Sequence, residues 1–396
     1  MENPFEFGRE LGADELVNRT EELAVIREIA ESSGKLFVIG PRRFGKTSLL
    51  KAFAETASKN GQTVLRYNAE SFPDLSGLVK KIIEDSAKNL PGKVEKKGEQ
   101  ITRYFKSLRP EISFSVTQTE WKVGIGVVPS SPNNQIELVV DAFNGLEMLA
   151  SEHPKKVTVI IDEFQDILAQ SGISAEKQIR SAIQTHKFTS YIFAGSKTKM
   201  LTEMTTDASR PFYRLGKLLF IGKIPRPEFT RFLLDKFTLG GFLNPKIAES
   251  EKAILAHQIL DLAEDVPYNV QMFAHALWNR LSQIQSVAPE NSFLNERLIN
   301  EILEKLIRQN DPFYTQVWNK LTTIQKKALS SVVSQTGTNL LSMEVAKMTN
   351  VSPSSMRRAL ESLVEQDILR TDEANGKIQY VFEDPFFAHW IRLFTF

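Results

Sequence analysis

The run Lys35-Leu36-Phe37-Val38-Ile39-Gly40-Pro41-Arg42-Arg43-Phe44-Gly45-Lys46-Thr47-Ser48-Leu49-Leu50 decides how the rest of the chain is read. Leu36 to Ile39 is an apolar run of strand length, it breaks at Gly40, and apolar periodicity resumes at Ser48, so strand, loop and helix follow in order. The loop has the pattern G-x-x-x-x-G-K-T of a phosphate loop. Glycines at 40 and 45 let the backbone turn tightly and face its N–H groups inward, and the next helix aims the positive end of its dipole at the same point. Gly40, Pro41, Arg42, Arg43, Phe44, Gly45, Lys46, Thr47 and Ser48 are therefore expected to cradle a nucleotide polyphosphate. Lys46 would reach the β- and γ-phosphates, and the Thr47 hydroxyl would serve Mg2+. The alternative is a glycine turn before an ordinary helix.

A second motif removes most of that alternative. Val157-Thr158-Val159-Ile160-Ile161-Asp162-Glu163 is a continuous apolar run ending in two carboxylates. Such runs are buried parallel strands, and open α/β sheets bind ligands at the carboxyl ends of their strands. Asp162 is expected to face Mg2+, and Glu163 to polarise the attacking water. Alone, the pair would read as an acidic helix start. Further strands are expected at 63–68, 190–196 and 218–221.

Composition narrows the class. The 396 residues suffice for two or three domains, and 42% hydrophobic with 24% charged residues describes an ordinary globular chain. No run approaches the roughly 18 apolar residues of a membrane span, and Met1-Glu2-Asn3-Pro4 is not a basic signal-peptide start, so a cytoplasmic protein without membrane partners is expected. With no cysteine there is no disulfide or thiolate site, and the 5 histidines show no metal-ligand spacing. Lys plus Arg number 49 against 48 acidic residues, so any nucleic-acid contact must come from a local patch.

Asn18-Arg19-Thr20-Glu21-Glu22-Leu23, just before the phosphate-loop strand, resembles the x-G-R-x-x-E-L box of AAA+ ATPases, especially the archaeal-type ATPases close to the STAND class, with Asn18 where glycine is usual. The resemblance implies that Asn18 and Arg19 approach the adenine of ATP; read locally, Thr20 caps a surface helix carrying Leu23, Ile26 and Ala30. It also implies that Asn68 holds the catalytic Glu inactive, and that Ser196 orients the lytic water, although both suit a polar strand end. Ser209-Arg210-Pro211-Phe212-Tyr213-Arg214 resembles the arginine-bearing box, with Arg214 preferred and Arg210 in reserve for the γ-phosphate or a neighbouring subunit; a salt-bridged loop arginine is the competing reading. Asp265-Val266-Pro267-Tyr268-Asn269 is similar to the G-x-P box whose proline packs on the adenine, and the lack of an arginine beside Pro267 points to the STAND side; otherwise Pro267 is a first-turn proline. The tail Glu383-Asp384-Pro385-Phe386-Phe387-Ala388-His389-Trp390 resembles the D-P-F-F-x-x-W ending of the archaeal-type family, an aromatic knot that must bury.

The expected domains are a P-loop core at 1–223 with an insertion at about 74–135, a helical lid at 224–311, and a winged helix at 312–396. The insertion would hold a helix at 75–90, a basic turn around Pro91-Gly92, and a hairpin whose strands alternate at Ile112, Phe114 and Val116 and, after the polar break Gln118-Thr119, at Trp121, Val123, Ile125 and Val127. Pro225-Arg226-Pro227 marks the end of the sheet. A helix at 314–333, a short helix at 342–348, a helix at 352–366 and a hairpin across Asn375-Gly376 give the winged-helix pattern. On the third helix Met356, Leu360, Leu363 and Val364 face the core, which leaves Arg357 and Arg358 for DNA phosphates or guanine edges, opposed by Glu361, Glu365 and Asp367. DNA and a protein partner both stay open for this face.

The resemblance implies an AAA+/STAND-like P-loop ATPase with an α/β parallel-sheet core, binding ATP and Mg2+ between core and lid. Its winged helix would couple nucleotide state to a partner, making it a switch or remodeller acting on protein, or an ATP-regulated DNA-binding protein like replication initiators or transcription regulators. Nucleotide-dependent homo-oligomers are part of that implication.

Overall fold

Apolar runs expected as strands pair into one parallel sheet in the computed structural model, which describes residues 2–90, 105, 112–116, 121–125, 132–152, 156–168, 172–374 and 377–395. The strands are β1 (Lys35–Ile39), β2 (Thr63–Asn68), β3 (Ile112–Val116), β4 (Trp121–Ile125), β5 (Val157–Asp162), β6 (Thr189–Gly195) and β7 (Lys217–Phe220). The five-stranded sheet has the order β2-β5-β6-β1-β7, so β6 separates the two motif-bearing strands. Its register pairs Ile39 with Gly195, Ile161 with Phe193 and Asn68 with Asp162. Gly40, Glu163 and Ser196 thus emerge at one edge, where an open parallel sheet places its ligand site.

Every residue of β5 and β6 is buried, as central parallel strands covered on both faces require. Phe37, Ile39, Leu65, Tyr67, Val159, Ile161, Tyr191 and Phe193 alternate along their strands into one apolar cluster. The alternate residues Leu36, Val38, Ile160, Ile192 and Ala194 are equally buried, with helices Thr20–Ser32 and Lys46–Lys59 among the elements packing on the strands. Phe164, directly after Glu163, stacks into the cluster 4.3 Å from Phe193, which fixes the turn carrying the acid pair. Truncating a core phenylalanine such as Phe193 to alanine costs about 3–5 kcal/mol.

The helix Leu75–Asn89 is part of this core. Leu75, Leu78, Val79, Ile82 and Ile83 recur at helical spacing, all buried in the cluster against the helix Pro132–Ser151. β3 and β4 form the expected antiparallel hairpin, pairing Ile112 with Ile125 and Val116 with Trp121. The basic turn at Pro91-Gly92, the polar break at Gln118-Thr119 and Val127 lie outside the described residues.

Two units divide the chain, Arg9–Gly222 and, in the other, Met1–Gly8 with Lys223–Phe396. The expected lid and winged helix therefore share a unit with the first eight residues. Phe5 explains the N-terminal part: it is wholly buried, 5.0 Å from the Phe237 ring and 6.0 Å from Trp278. Helices Arg226–Leu239, Glu249–Leu262, Pro267–Val287 and Glu296–Gln309 make up the 224–311 stretch.

The single helix expected at 314–333 is two, Asp311–Lys320 and Thr323–Ser334. Thr322 breaks it by capping the second: its side chain accepts from the Gln325 N–H while Gln325 reaches back to its backbone. Ser342 and Ser352 cap the helices Met343–Thr349 and Pro353–Glu365, and β8 (Leu369–Ala374) pairs antiparallel with β9 (Lys377–Phe382), completing a winged helix. Asn375-Gly376, between those strands, lies outside the described residues. The aromatic tail is the helix Pro385–Thr395, with Phe386 against Phe273, Phe387 against Tyr314 at 5.2 Å, and the Trp390 indole N–H donating to Asp311 Oδ1 at 2.7 Å. Among the described residues no helix is long and apolar enough to cross a membrane.

Candidate active site

Gly45, at φ 88°, occupies the left-handed region at the N-cap of helix Lys46–Lys59, a backbone state open to glycine at little strain. The turn brings Lys46 back over the loop. Its ammonium is buried and donates to the Pro41 carbonyl at 2.9 Å. Arg42 and Arg43 are exposed and Phe44 is buried.

Thr47 Oγ1 donates to Asp162 Oδ2 at 2.7 Å, joining the phosphate loop to the end of β5. Asp162 is 3% exposed, and burial raises its carboxyl pKa above the ordinary value, with the Glu163 charge adding to the rise and the Thr47 bond and Lys46 charge opposing it. A buried carboxylate in that state, with a threonine hydroxyl on it, is an oxygen donor set suited to a hard divalent cation. Magnesium, implied by the motif, fits here.

Asp162 Oδ1 accepts the Glu163 N–H at 3.0 Å, and Glu163 turns out of the strand at φ 51°. Its Oε2 accepts three hydrogen bonds, from Ser196 Oγ at 2.9 Å, Ser196 N–H at 3.3 Å and Gln165 Nε2 at 2.5 Å. Ser196 thus meets the Glu163 carboxylate as the strand order allows. Asn68 does not hold Glu163; its side chain accepts from the Glu70 N–H and caps the turn Ala69–Ser71.

Arg19 is buried in a brace. Its Nη2 donates to the Phe44 carbonyl at 3.2 Å and the Gly222 carbonyl at 2.7 Å, and its Nη1 pairs with Glu22 at 2.7 Å. Arg19, at φ 78°, rather than Thr20 is the residue before the first helical turn, and Asn18 is exposed at φ 61°. The Ser48 hydroxyl accepts the Leu11 N–H at 3.0 Å, tying the phosphate-loop helix to the segment before it.

Arg210 is ion-paired with the buried Glu176, while the exposed Arg214 lays its guanidinium 5.1 Å over the Tyr213 ring. Arg180 holds that loop by donating to the Pro211 and Tyr213 carbonyls. Pro267 opens the helix Pro267–Val287 in the other unit, and Arg357 and Arg358 are exposed on Pro353–Glu365. Gln165 has no motif to announce it: it is a buried amide in the four-residue helix Gln165–Leu168.

A phosphate loop bonded across a parallel sheet to an acid pair defines a P-loop ATPase. Residues 16–202 match the family described as an ATPase domain predominantly from Archaea. Residues 312–393 match a probable winged helix domain. No curated protein is similar enough to match. Among solved structures, a Walker-type ATPase of Pyrococcus abyssi aligns over 98% of this chain and 99% of its own at 15% identity, with a TM-score of 0.60. The ORC2 protein of Aeropyrum pernix, solved in ADPNP and ADP complexes, aligns over 99% and 96% at 16% identity, with a TM-score of 0.54. At these identities the likeness is one of fold.

Proposed function

We propose that this ATPase hydrolyses ATP as its magnesium complex and uses the cycle as a switch or remodeller, with the winged helix coupling nucleotide state to a partner. The observation that carries the reading is the 2.7 Å bond between Thr47 and Asp162, with Glu163 following directly in the chain. Lys46 would leave the Pro41 carbonyl for the β- and γ-phosphate oxygens, trading a neutral acceptor for a charged one. Thr47 and Asp162 would hold the divalent cation, which when bound neutralises charge developing on those oxygens. Glu163 accepts a hydrogen bond from the attacking water and aligns it with the γ-phosphorus, and Ser196 fixes that carboxylate. Arg214, exposed at the loop before β7, is the candidate for a γ-phosphate or a neighbouring subunit, since Arg210 is committed to Glu176. The absence of an arginine beside Pro267 keeps the chain on the STAND side of this class.

A second reading makes the partner DNA, which would turn the chain into an ATP-regulated DNA-binding protein. The observation favouring it is the exposed pair Arg357 and Arg358 near the start of the helix Pro353–Glu365; Glu361 and Glu365, exposed on the same helix, favour a protein partner instead. Calorimetric titration of ATP with and without Mg2+, on wild type and Lys46→Ala, tests the main reading. Loss of the lysine should weaken ATP binding by about 10- to 100-fold, from one charge-assisted contact. Equal affinity in both proteins would contradict it.

A further inference from the structure

Gln165 is 3% exposed and its two amide atoms have opposite fortunes. Nε2 donates to Glu163 Oε2 at 2.5 Å, while Oε1 is buried without a hydrogen-bond partner. The side chain reaches that place only because residue 195 has no side chain: a Cβ on Gly195 would lie 2.2 Å from Gln165 Oε1. An orphaned buried acceptor weakens a fold, and an apolar side chain of the same length would fill the space without that penalty. The amide is therefore poorly suited to packing and well suited to holding Glu163.

We propose that Gln165 is a positioning residue for ATP hydrolysis. It rests on the reading of Glu163 as the residue that aligns the attacking water. Gln165 and Ser196 together place three donors on one oxygen, Oε2. That set fixes the rotation of the carboxylate about its stem and leaves Oε1 as the acceptor for water. Gln165 acts through Glu163 and touches no phosphate. Ser196 approaches from the end of β6 and Gln165 from the short helix Gln165–Leu168 after β5, so the carboxylate is held from two elements, and losing either residue's donors frees a rotation that catalysis needs frozen.

The test uses the full chain with substitutions Gln165→Met, which keeps length and removes the donor, and Gln165→Glu, which sets a second carboxylate against Glu163. Single-turnover hydrolysis, ATP affinity by calorimetry and thermal midpoint are measured on each, alone and with Glu163→Gln. Gln165→Met should lose on the order of 10-fold in rate with ATP affinity within about twofold of wild type, and its thermal midpoint should hold or rise. Gln165→Glu should lose at least as much rate. Neither should slow Glu163→Gln further, because the effect passes through that carboxylate. A wild-type or faster rate in Gln165→Met, or an undiminished further loss on top of Glu163→Gln, overturns the proposal while leaving Glu163 in its role. A wild-type rate in Glu163→Gln removes Glu163 from the mechanism and the proposal with it.

Discussion

Thr47 Oγ1 and Asp162 Oδ2 lie 2.7 Å apart across 115 residues of sequence. The contact exists because β5 and β1 end level on either side of β6, so the first helical turn after the phosphate loop faces the last residue of β5. Two motifs recognisable separately in the sequence become one site through strand order alone.

Asp162 should weaken the fold it serves. Burial holds its carboxyl pKa above the usual value, so the folded protein keeps a proton there to higher pH than the unfolded chain does. The contribution of this one group to stability is thus greatest below its unfolded value near 3.8 and is lost as pH rises through its folded value. Asp162→Asn removes the penalty, and in denaturant unfolding without nucleotide it should be more stable than wild type at pH 7, the gain vanishing as pH falls below about 4. The same substitution should abolish the benefit of Mg2+ to ATP binding. A variant less stable than wild type at neutral pH would contradict this.

His186, where the chain turns into β6 at the opposite end from the site, should set an acid limit on stability. Its Nδ1 lies 2.9 Å from Tyr191 Oη and its Nε2 3.1 Å from Asn144 Oδ1, a pairing that suits the neutral ring. Burial, aided by the Lys35 charge and opposed by Glu147, pushes its pKa from 6.5 down to about 4. The unfolded chain takes up the proton first, so stability present above pH 6.5 falls as pH drops, by about 2 kcal/mol at pH 5 and about 3 in all. His186→Gln should flatten that slope in urea unfolding and leave ATP turnover at pH 7 unchanged.

If DNA is the partner, Arg357→Ala with Arg358→Ala should weaken duplex binding and reduce the slope of log affinity against log salt by about 2. Fluorescence anisotropy over a salt series measures both. An unchanged slope assigns the face to a protein partner.

The sheet and its chemistry were legible because buried parallel strands are continuous apolar runs and the phosphate loop needs fixed residue types at fixed spacing. The burial of Leu75–Asn89 in the core is not readable from its sequence, because a helix covering a sheet and one in an exposed insertion share the same 3.6-residue pattern. Phe5 gave no sign of its partners, since its burial among Phe237 and Trp278 is set by contacts remote in sequence. The Thr322 break carries the signature T-x-x-Q, which sits inside a long apolar period that reads equally as one helix. Arg19 and Asn68 show what a resemblance leaves open: the motif marks the positions, while the fold decides which carbonyls and N–H each side chain meets. Gln165 was invisible because its role depends on Gly195, which lies in another strand.

The most direct test is Glu163→Gln, assayed for ATP affinity and for phosphate release in one turnover. The amide keeps the shape of the carboxylate and loses the strong acceptor for water, so ATP should bind within about threefold of wild type while the chemical step slows by at least about 100-fold. Wild-type phosphate release from this variant would contradict the account of the site.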